Sequence, residues 1–131
     1  MAALTVDHHA RTITGLVVPY GRIAVNRGRR WRYAPRCLRW QGRVPLLVDH
    51  DQSQRVGWAV DLRETRAGLR GLFAVDRGPA GDRALALAAV AGLSAGVDLT
   101  HTVPDATQHR VVLVVTAELD EVSLTRTPAF E

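Results

Sequence analysis

Residues 82–100 read DRALALAAVAGLSAGVDLT, and the hydrophobic period changes in the middle of this stretch. From Asp82 to Ala91 the chain is rich in alanine and leucine, which strongly favour an α-helix. Asp82 is expected to cap or charge the start of that helix, and Gly92 is a natural place for it to end. From Leu93 onward apolar and polar residues alternate, as in a β-strand with one buried face. The stretch therefore predicts a helix followed directly by a strand.

The pentapeptide Gly92-Leu93-Ser94-Ala95-Gly96 in this stretch fits the G-x-S-x-G pattern of a nucleophilic serine in α/β-hydrolases. In that fold the serine follows a strand and opens a helix, whereas Ser94 follows the predicted helix and opens the strand. A chain of 131 residues is also too small for the doubly wound sheet of that fold. The match to that family is coincidental. Ser94 is either a nucleophile in a different fold or an ordinary serine of the turn after the helix.

The remaining patterns favour strands. Residues 12–18 are rich in β-branched residues, and residues 56–75 alternate around a turn, which predicts an antiparallel hairpin. The apolar run VPLLVDHD at 44–51 predicts a buried strand whose end reaches a surface or cleft. Two more strands are predicted in HRVVLVVTAEL (109–119) and DEVSLTRTP (120–128). Together these elements predict a mainly β domain with one clear helix.

Length and composition predict one domain over residues 1–131. The sequence is 47% hydrophobic and has no apolar run long enough to cross a bilayer, so we expect a protein made in a cytoplasm, with no membrane partner. The single cysteine, Cys37, excludes an internal disulfide and a cysteine-based zinc site. We expect it to be buried filler or an inert surface thiol.

Positive charge is concentrated in the first third of the chain. All 17 basic residues are arginine, and nine of them lie between Asp7 and Asp49, where there is no acidic residue. The segment at about 22–43 is predicted to be a basic loop or insertion. Because it interleaves arginines with Trp31, Tyr33 and Trp40, one hypothesis is a module that binds nucleic acid. The alternative is a solvated basic surface whose arginine stems cover aromatic rings.

A nucleophilic serine needs a base, and His50 is the best placed of the five histidines. It ends the run VPLLVDHD, so a rigid element would hold it where side chains emerge. His101 lies seven residues from Ser94 in the same predicted strand, roughly 20 Å away if extended. The other three are expected to lie in a mobile N-terminus or at the far end of a hairpin: His8, His9 and His109.

The base in turn needs a group that orients its ring. The acidic neighbours of the histidine, Asp49 and Asp51, would point to the opposite face of a strand. In LDEVSLTRTPA, Glu121 and Ser123 alternate with apolar residues and so share one face of a strand, whereas Asp120 faces away. Either of the two residues on the shared face can complete the site.

Five blocks, taken in order, resemble the HK97-type phage prohead maturation protease family. The resemblance extends from about Gly15 to Phe130. It implies the herpesvirus-assemblin-like serine protease fold, a β-barrel with one or more flanking helices. The blocks are GLVVPYG, VPLLVDHD, VGWAVDLRETRAGLRGLFAVD, the helix ending in AGLSAGVDL, and LDEVSLTRTPAF.

By this resemblance the nucleophile is Ser94 and the general base is His50. Glu121 is expected to orient the imidazole, with Ser123 in reserve as the third member. The stretch around Arg126 is expected to stabilise the oxyanion through backbone N–H groups or the guanidinium. No metal or other cofactor is expected.

The implied function is a serine endopeptidase that cleaves the scaffolding segment of a phage major capsid protein, and itself, during procapsid maturation. It would work inside the procapsid in the cytoplasm of a bacterial host. The major capsid protein is the expected partner, and homo-oligomerisation and nucleic-acid binding stay open. Two alternatives remain: a catalytically inactive capsid-assembly factor of the same fold, and a basic β-barrel module that binds nucleic acid.

Overall fold

The structure is a computed structural model that describes residues 3–130. Strands hold 58% of these residues and the helix 7%, so the prediction of a mainly β domain with one helix is confirmed. No helix in the described range is long and apolar enough to span a bilayer. The elements are β1 (Thr5–Asp7), β2 (Thr12–Pro19), β3 (Ile23–Asn26), β4 (Arg29–Tyr33), β5 (Leu38–Arg39), β6 (Pro45–Val48), β7 (Asp51–Glu64), β8 (Gly68–Val75), α1 (Pro79–Leu87), β9 (Gly92–Pro104) and β10 (Val112–Thr125).

The ten strands of the described range form one open sheet, and β10 is its organising strand. One edge of β10 pairs antiparallel with β9 from Val112 to Thr125. Its other edge pairs in parallel with three short strands in succession, β4, β5 and β6. From β6 the sheet continues antiparallel through β7, β8 and β2 to β1. The sheet therefore brings β9, the end of β10 and the β6–β7 turn close together.

The core consists of aliphatic side chains from the sheet and one face of α1. Leu93, Val122 and Leu124 are buried in it, next in sequence to the polar residues predicted to form a site. Their burial fixes the ends of β9 and β10, because pulling any of them into water exposes apolar surface. The largest fully buried side chains include Phe73, Ile13, Leu46, Leu47, Leu69 and Leu124.

The prediction of a basic loop at 22–43 is wrong, because this segment contains β3, β4 and β5. β3 and β4 form a hairpin whose turn residues, Arg27 and Gly28, both have positive φ. Two residues of this kind give the tight turn that matches the twist of paired strands. The arginines hid the strands because most of their side chains are exposed, while the inward-facing positions carry Ala24 and Tyr33.

Three element boundaries also differ from the predictions. The helix begins at Pro79, with Gly78 as its N-cap, and ends at Leu87 rather than next to Gly92. Asp82 does not cap the helix but places a negative charge in its first turn, as the other expectation had it, and forms an ion pair with Arg11 (2.9 Å). The last two predicted strands are one continuous strand, β10, in which bulges shift the register. The predicted strand at 44–51 ends at Val48.

Candidate active site

Three elements bring the predicted catalytic side chains together: β9, the turn between β6 and β7, and β10. The His50 Nε2 atom lies 3.2 Å from the Ser94 Oγ atom. On the opposite side of the ring, Nδ1 is hydrogen-bonded to Oε2 of Glu121. The side chains thus form a continuous chain from hydroxyl to imidazole to carboxylate, the order that activates a serine nucleophile.

The register of β9 against β10 sets two sides of this site. Ser94 lies opposite Ser123, and Gly96 lies opposite Glu121. A register shift occurs between Leu119 and Glu121, so β10 is bulged one residue before the glutamate. Bulges of this kind redirect side chains near active sites. Here Glu121 lies 5% exposed while its neighbour Asp120 is on the surface, as the alternation predicted.

His50 does not end a strand, as was predicted, but lies in the two-residue turn that joins β6 to β7. Asp49 and His50 both have positive φ, at 52° and 57°. Non-glycine residues adopt this conformation at a cost, so other contacts must hold it. The Asp49 N–H donates to the carbonyl of Leu124 (3.0 Å), and the His50 N–H donates to Ser123 Oγ (2.9 Å). The turn is therefore fastened to β10 by its backbone.

The hydrogen-bond partners decide which nitrogen of the ring carries the proton. When the Glu121 carboxylate is ionised it only accepts hydrogen bonds, and the tautomer of His50 that matches it carries the proton on Nδ1. The lone pair of Nε2 is then directed at Ser94, whose hydroxyl can donate to it. The His50 side chain is 42% exposed, whereas that of Glu121 is 7% exposed. The base is accessible, and its orienting group is shielded from water.

Ser123, the reserve choice for the third member, does not contact the imidazole. Its hydroxyl donates to Oε1 of Glu121 (2.9 Å) and accepts from the backbone N–H of His50 (2.9 Å). It is fully buried. Ser123 therefore fixes the carboxylate and the turn at the same time, one hydrogen bond away from the ring.

Gly96 is a site residue that the sequence analysis missed. It lies opposite Glu121 in the β9–β10 ladder, with the glutamate side chain packed where a Cβ would be. It is the second glycine of the G-x-S-x-G match. The glycine was visible in the sequence as part of the G-x-S-x-G pattern, but its role differs from the one it has in α/β-hydrolases. Here it leaves space for the Glu121 carboxylate.

Arg126 follows β10 and lines a cavity of about 500 Å³ together with Asp49, His50 and Thr127. The Thr127 N–H donates to Thr125 Oγ1 (3.2 Å), which bends the chain just beyond the strand. Arg126 is exposed, and among the described residues it is not one that lines the cleft containing Ser94. The structure thus places Arg126 on the histidine side of the site, and its role toward an oxyanion stays a prediction.

The four histidines set aside in the sequence lie elsewhere. His8 and His9 lie in the turn between β1 and β2, which belongs to the sheet, and not in a free N-terminal arm. His101 lies on the exposed part of β9, opposite Thr116, and His109 lies in the turn before β10.

The three aromatic residues proposed to stack bases pack in or against the core of the protein. Tyr33 is buried, and Trp31 and Trp40 pack against the core. Elsewhere two arginine guanidinium groups, those of Arg43 and Arg55, lie over the ring of Trp58 at 4.0 and 4.7 Å. These two contacts concern a single ring on β7, outside the 22–43 segment, so the alternative interpretation of that segment stays a prediction.

No group of three or more histidine, cysteine, aspartate or glutamate side chains in the described part of the chain is arranged to hold a metal ion. A scan against protein-family models finds none that matches this chain. A search of curated proteins likewise finds no match.

Proposed function

We propose that the protein is a serine endopeptidase with Ser94 as nucleophile, His50 as general base and Glu121 as the group that orients the base. The observation that carries the proposal is the unbroken hydrogen-bonded series from Ser94 Oγ through both nitrogens of His50 to Glu121. These residues are 27 or more positions apart in the sequence. A polar network that served only the packing of the core would be buried, whereas the imidazole at the centre of this one is 42% exposed.

In the proposed mechanism, Ser94 Oγ attacks the carbonyl carbon of the scissile amide while its proton passes to Nε2 of His50. Glu121 stabilises the resulting imidazolium through Nδ1. As the tetrahedral intermediate collapses, the C–N bond breaks and His50 gives its proton to the leaving amine. A water molecule then hydrolyses the acyl-enzyme by the same proton transfers, which restores the Ser94 hydroxyl. Backbone N–H groups or the guanidinium around Arg126 are the proposed oxyanion donors.

A peptide substrate fits the position of Ser94 in the sheet. In the described range β9 pairs only with β10, so its other edge is not paired with a strand. An extended peptide can add to such an edge through main-chain hydrogen bonds. This mode of binding would present a scissile bond alongside the strand that carries the nucleophile.

We further propose that the protein belongs to the HK97-type prohead protease family and that its sheet corresponds to the assemblin-like barrel. The support is the order of the resembling blocks, since VPLLVDHD supplies His50, AGLSAGVDL supplies Ser94 and LDEVSL supplies Glu121. The substrate would be the scaffolding segment of a phage major capsid protein, and the enzyme itself. Cleavage would occur inside the procapsid in a bacterial host.

The chemistry can be tested before a substrate is known, with a fluorophosphonate probe that reacts with activated serines. We expect the wild-type protein to be labelled once and Ser94→Ala to remain unlabelled. Ser53→Ala is the matched control, because Ser53 is an exposed serine on β7 bonded to Asp51 (2.7 Å). Equal labelling of wild type and Ser94→Ala would show that Ser94 is not the nucleophile.

The biological substrate is tested by co-expressing the chain with a cognate phage major capsid protein. Trimming by wild type and by Ser53→Ala, but not by Ser94→Ala, is the expected result. Association with the capsid protein without trimming, in a protein that also resists the probe, would instead establish the inactive assembly factor. Salt-sensitive binding to single-stranded DNA that is lost when Arg27, Arg29 and Arg30 are neutralised would favour the nucleic-acid module.

A further inference from the structure

The strand β3 is the last strand on one side of the sheet, and its outer edge is open. In the described range it pairs only with β4. The backbone hydrogen bonds made outside the strand ladders include none from Ile23, Ala24 or Val25. The outer edge of β3 therefore has no hydrogen-bond partner along these three residues in the part of the chain that the structure describes.

The geometry of the β3–β4 hairpin determines which backbone groups face this edge. Its turn has two residues, both with positive φ, and is flanked by the pair Asn26 and Arg29. The pair that flanks such a turn exchanges hydrogen bonds, and the following antiparallel pairs alternate between non-bonded and bonded. Val25 and Ile23 consequently belong to non-bonded pairs, and their N–H and C=O groups are directed away from β4. The edge presents backbone donors and acceptors at two positions.

The side chains of β3 carry no charge. Val25 is 54% exposed and Ile23 is half-buried, whereas Ala24 is buried and lines the cleft beside Ser94. Proteins that keep other strands from pairing with an edge strand place charged residues or proline on that strand. β3 has neither of these, so its sequence leaves the edge accessible to another strand.

Positive charge surrounds this edge. The sequence from residue 8 to residue 48 contains no acidic residue. Within the hairpin Arg32 is paired with Asp105 (2.8 Å). The other four arginines of residues 21–33 are exposed and form no ion pair with a described residue: Arg22, Arg27, Arg29 and Arg30. The hairpin thus concentrates unpaired positive charge beside an uncharged edge strand.

This charge selects which strand can add to β3. Val25 lies opposite Arg30 in the ladder, so every second side chain of an added strand falls on the face that carries Arg30. The added strand and β4 are separated by two strand spacings, about 10 Å. An arginine and a glutamate side chain together span that gap. A second copy of the hairpin would be repelled by its own arginines, whereas an acidic strand is attracted.

We propose that the open edge of β3 is a docking site for an acidic, extended segment of a protein partner, which adds to the sheet as a further strand. Main-chain hydrogen bonds to Ile23 and Val25 hold the segment, and the exposed arginines select its charge. Nucleic acid suits the arginines but makes no use of the backbone edge, and the aromatic residues of this segment pack in or against the core. The docking site does not depend on the reactivity of Ser94.

The test measures the binding of four fluorescein-labelled ligands to Ser94→Ala by anisotropy, at about 0.15 M salt. Alternating Glu-Thr and Glu-Pro decapeptides carry the same charge, but proline removes every second backbone N–H. An alternating Lys-Thr decapeptide reverses the charge, and an oligothymidylate of similar length represents nucleic acid. We expect the Glu-Thr peptide to bind about tenfold or more tightly than the Glu-Pro peptide, and the Lys-Thr peptide not to bind.

Three variants separate the charge from the backbone. Arg29→Glu/Arg30→Glu reverses the charge beside the edge, and Arg77→Glu/Arg83→Glu makes the same change of net charge on or next to α1, which packs on β7 and β8. Val25→Pro removes one edge N–H and leaves the charges, at a position where an edge strand tolerates proline. We expect the first and third variants to bind the Glu-Thr peptide about tenfold or more weakly, and the α1 variant to bind it within about twofold of the parent protein.

Hydrogen exchange keeps the docking site testable if Val25→Pro does not fold. In Ser94→Ala, saturation with the Glu-Thr peptide should slow amide exchange at Ile23 and Val25 about tenfold or more. Equal affinity for the Glu-Thr and Glu-Pro peptides, or no added protection of these two amides, would overturn strand addition. Equal binding by the two double-arginine variants would overturn selection by the hairpin charge. Tighter binding of the oligothymidylate than of any peptide would assign this surface to nucleic acid instead.

Discussion

Gly96 lies so close to the side chain of Glu121 that a Cβ added at position 96 would be 2.1 Å from Oε2 and 2.5 Å from the carboxyl carbon. The two residues face each other across the β9–β10 ladder. Glu121 is buried, and its other oxygen is held by Ser123, so the carboxylate has little space into which it can withdraw. The position of the group that orients His50 therefore depends on the absence of a side chain at residue 96.

Gly96→Ala is expected to lower the rate at which Ser94 reacts by about 100-fold or more, because a displacement of about 1 Å in a catalytic array has that effect. The measurement is the rate of fluorophosphonate labelling, with the melting temperature recorded for each protein. Gly42→Ala is the control: it has positive φ and nothing within 4 Å of an added Cβ, so it should reduce stability and leave the rate unchanged. A normal rate in Gly96→Ala would show that the carboxylate is not needed where it lies.

Glu121→Gln should be the most damaging conservative change after loss of the serine. An amide NH₂ group facing the ring would donate to Nδ1, so His50 would carry its proton on Nε2 and could no longer accept one from Ser94. The analogous change in serine proteases costs about 10⁴-fold in rate, and we expect a loss of that order in the rate of fluorophosphonate labelling. Asp120→Asn, one residue away and exposed, should behave as wild type. Equal rates for both variants would remove Glu121 from the site.

Ser123→Ala should affect stability more clearly than chemistry. The substitution leaves Oε1 of Glu121 and the N–H of His50 without the hydroxyl that bonds both at 2.9 Å. Leaving buried polar groups unpaired costs about 1–3 kcal/mol each, and a loss in that range is expected in chemical denaturation. The rate should fall by less than in Glu121→Gln, since the contact between imidazole and carboxylate remains. A rate loss as large as that of Glu121→Gln would make Ser123 a member of the catalytic chain itself.

The sequence predicted the helix before Ser94 and the strand that contains it, because an alanine-rich pattern favours a helix and an alternating pattern favours a strand. It also predicted that Glu121 and Ser123 share one face, and the hydrogen bond between their side chains (2.9 Å) confirms this. The distances between His50, Ser94 and Glu121 could not be predicted from the sequence. They depend on β6 and β9 pairing with opposite edges of β10, a long-range relation that no local pattern encodes.

The errors have physical causes as well. The β3–β4 hairpin was missed because an edge hairpin with one solvated face can carry arginine at nearly every outward position. His50 was placed on a strand because the apolar run continues to Val48 and the turn residues Asp49 and His50 are not the usual Asn-Gly pair. The stretch 45–50 thus contains a turn whose two residues rarely adopt positive φ. This turn carries one residue of the proposed site, His50.

Cys37 should behave as an inert buried thiol. It is 1% exposed, and burial, reinforced by the nearby Glu64 carboxylate, raises its pKa to about 11. At pH 8 this lowers the thiolate fraction about 100-fold relative to an ordinary cysteine. We expect negligible reaction with a disulfide reagent in the native protein and full reaction in 6 M guanidinium, both followed by absorbance. Rapid native labelling would mean that the β4–β5 region opens far more often than its burial implies.

Asp105 joins the β9–β10 turn to β4 and should make stability depend on pH in the acid range. Its Oδ1 accepts from the N–H and hydroxyl of Thr107 (both 2.8 Å), and its Oδ2 accepts from two nitrogens of Arg32 (both 2.8 Å). The Thr107 hydrogen bonds first, and then Arg32, lower the pKa of Asp105 to about 2. As the pH falls, the unfolded chain therefore takes up this proton before the folded protein does.

The contribution of Asp105 to stability is consequently complete above the usual aspartate pKa near 3.8 and is lost as the pH falls toward about 2. Asp105→Asn should melt below wild type at pH 7, and the difference in melting temperature should shrink steadily between pH 4 and pH 2. Asp61→Asn, whose carboxylate is half exposed on β7, should show little difference at either pH. A gap between wild type and Asp105→Asn that stays constant from pH 7 to pH 2 would mean that the charge of Asp105 does not hold the β4 edge to this turn.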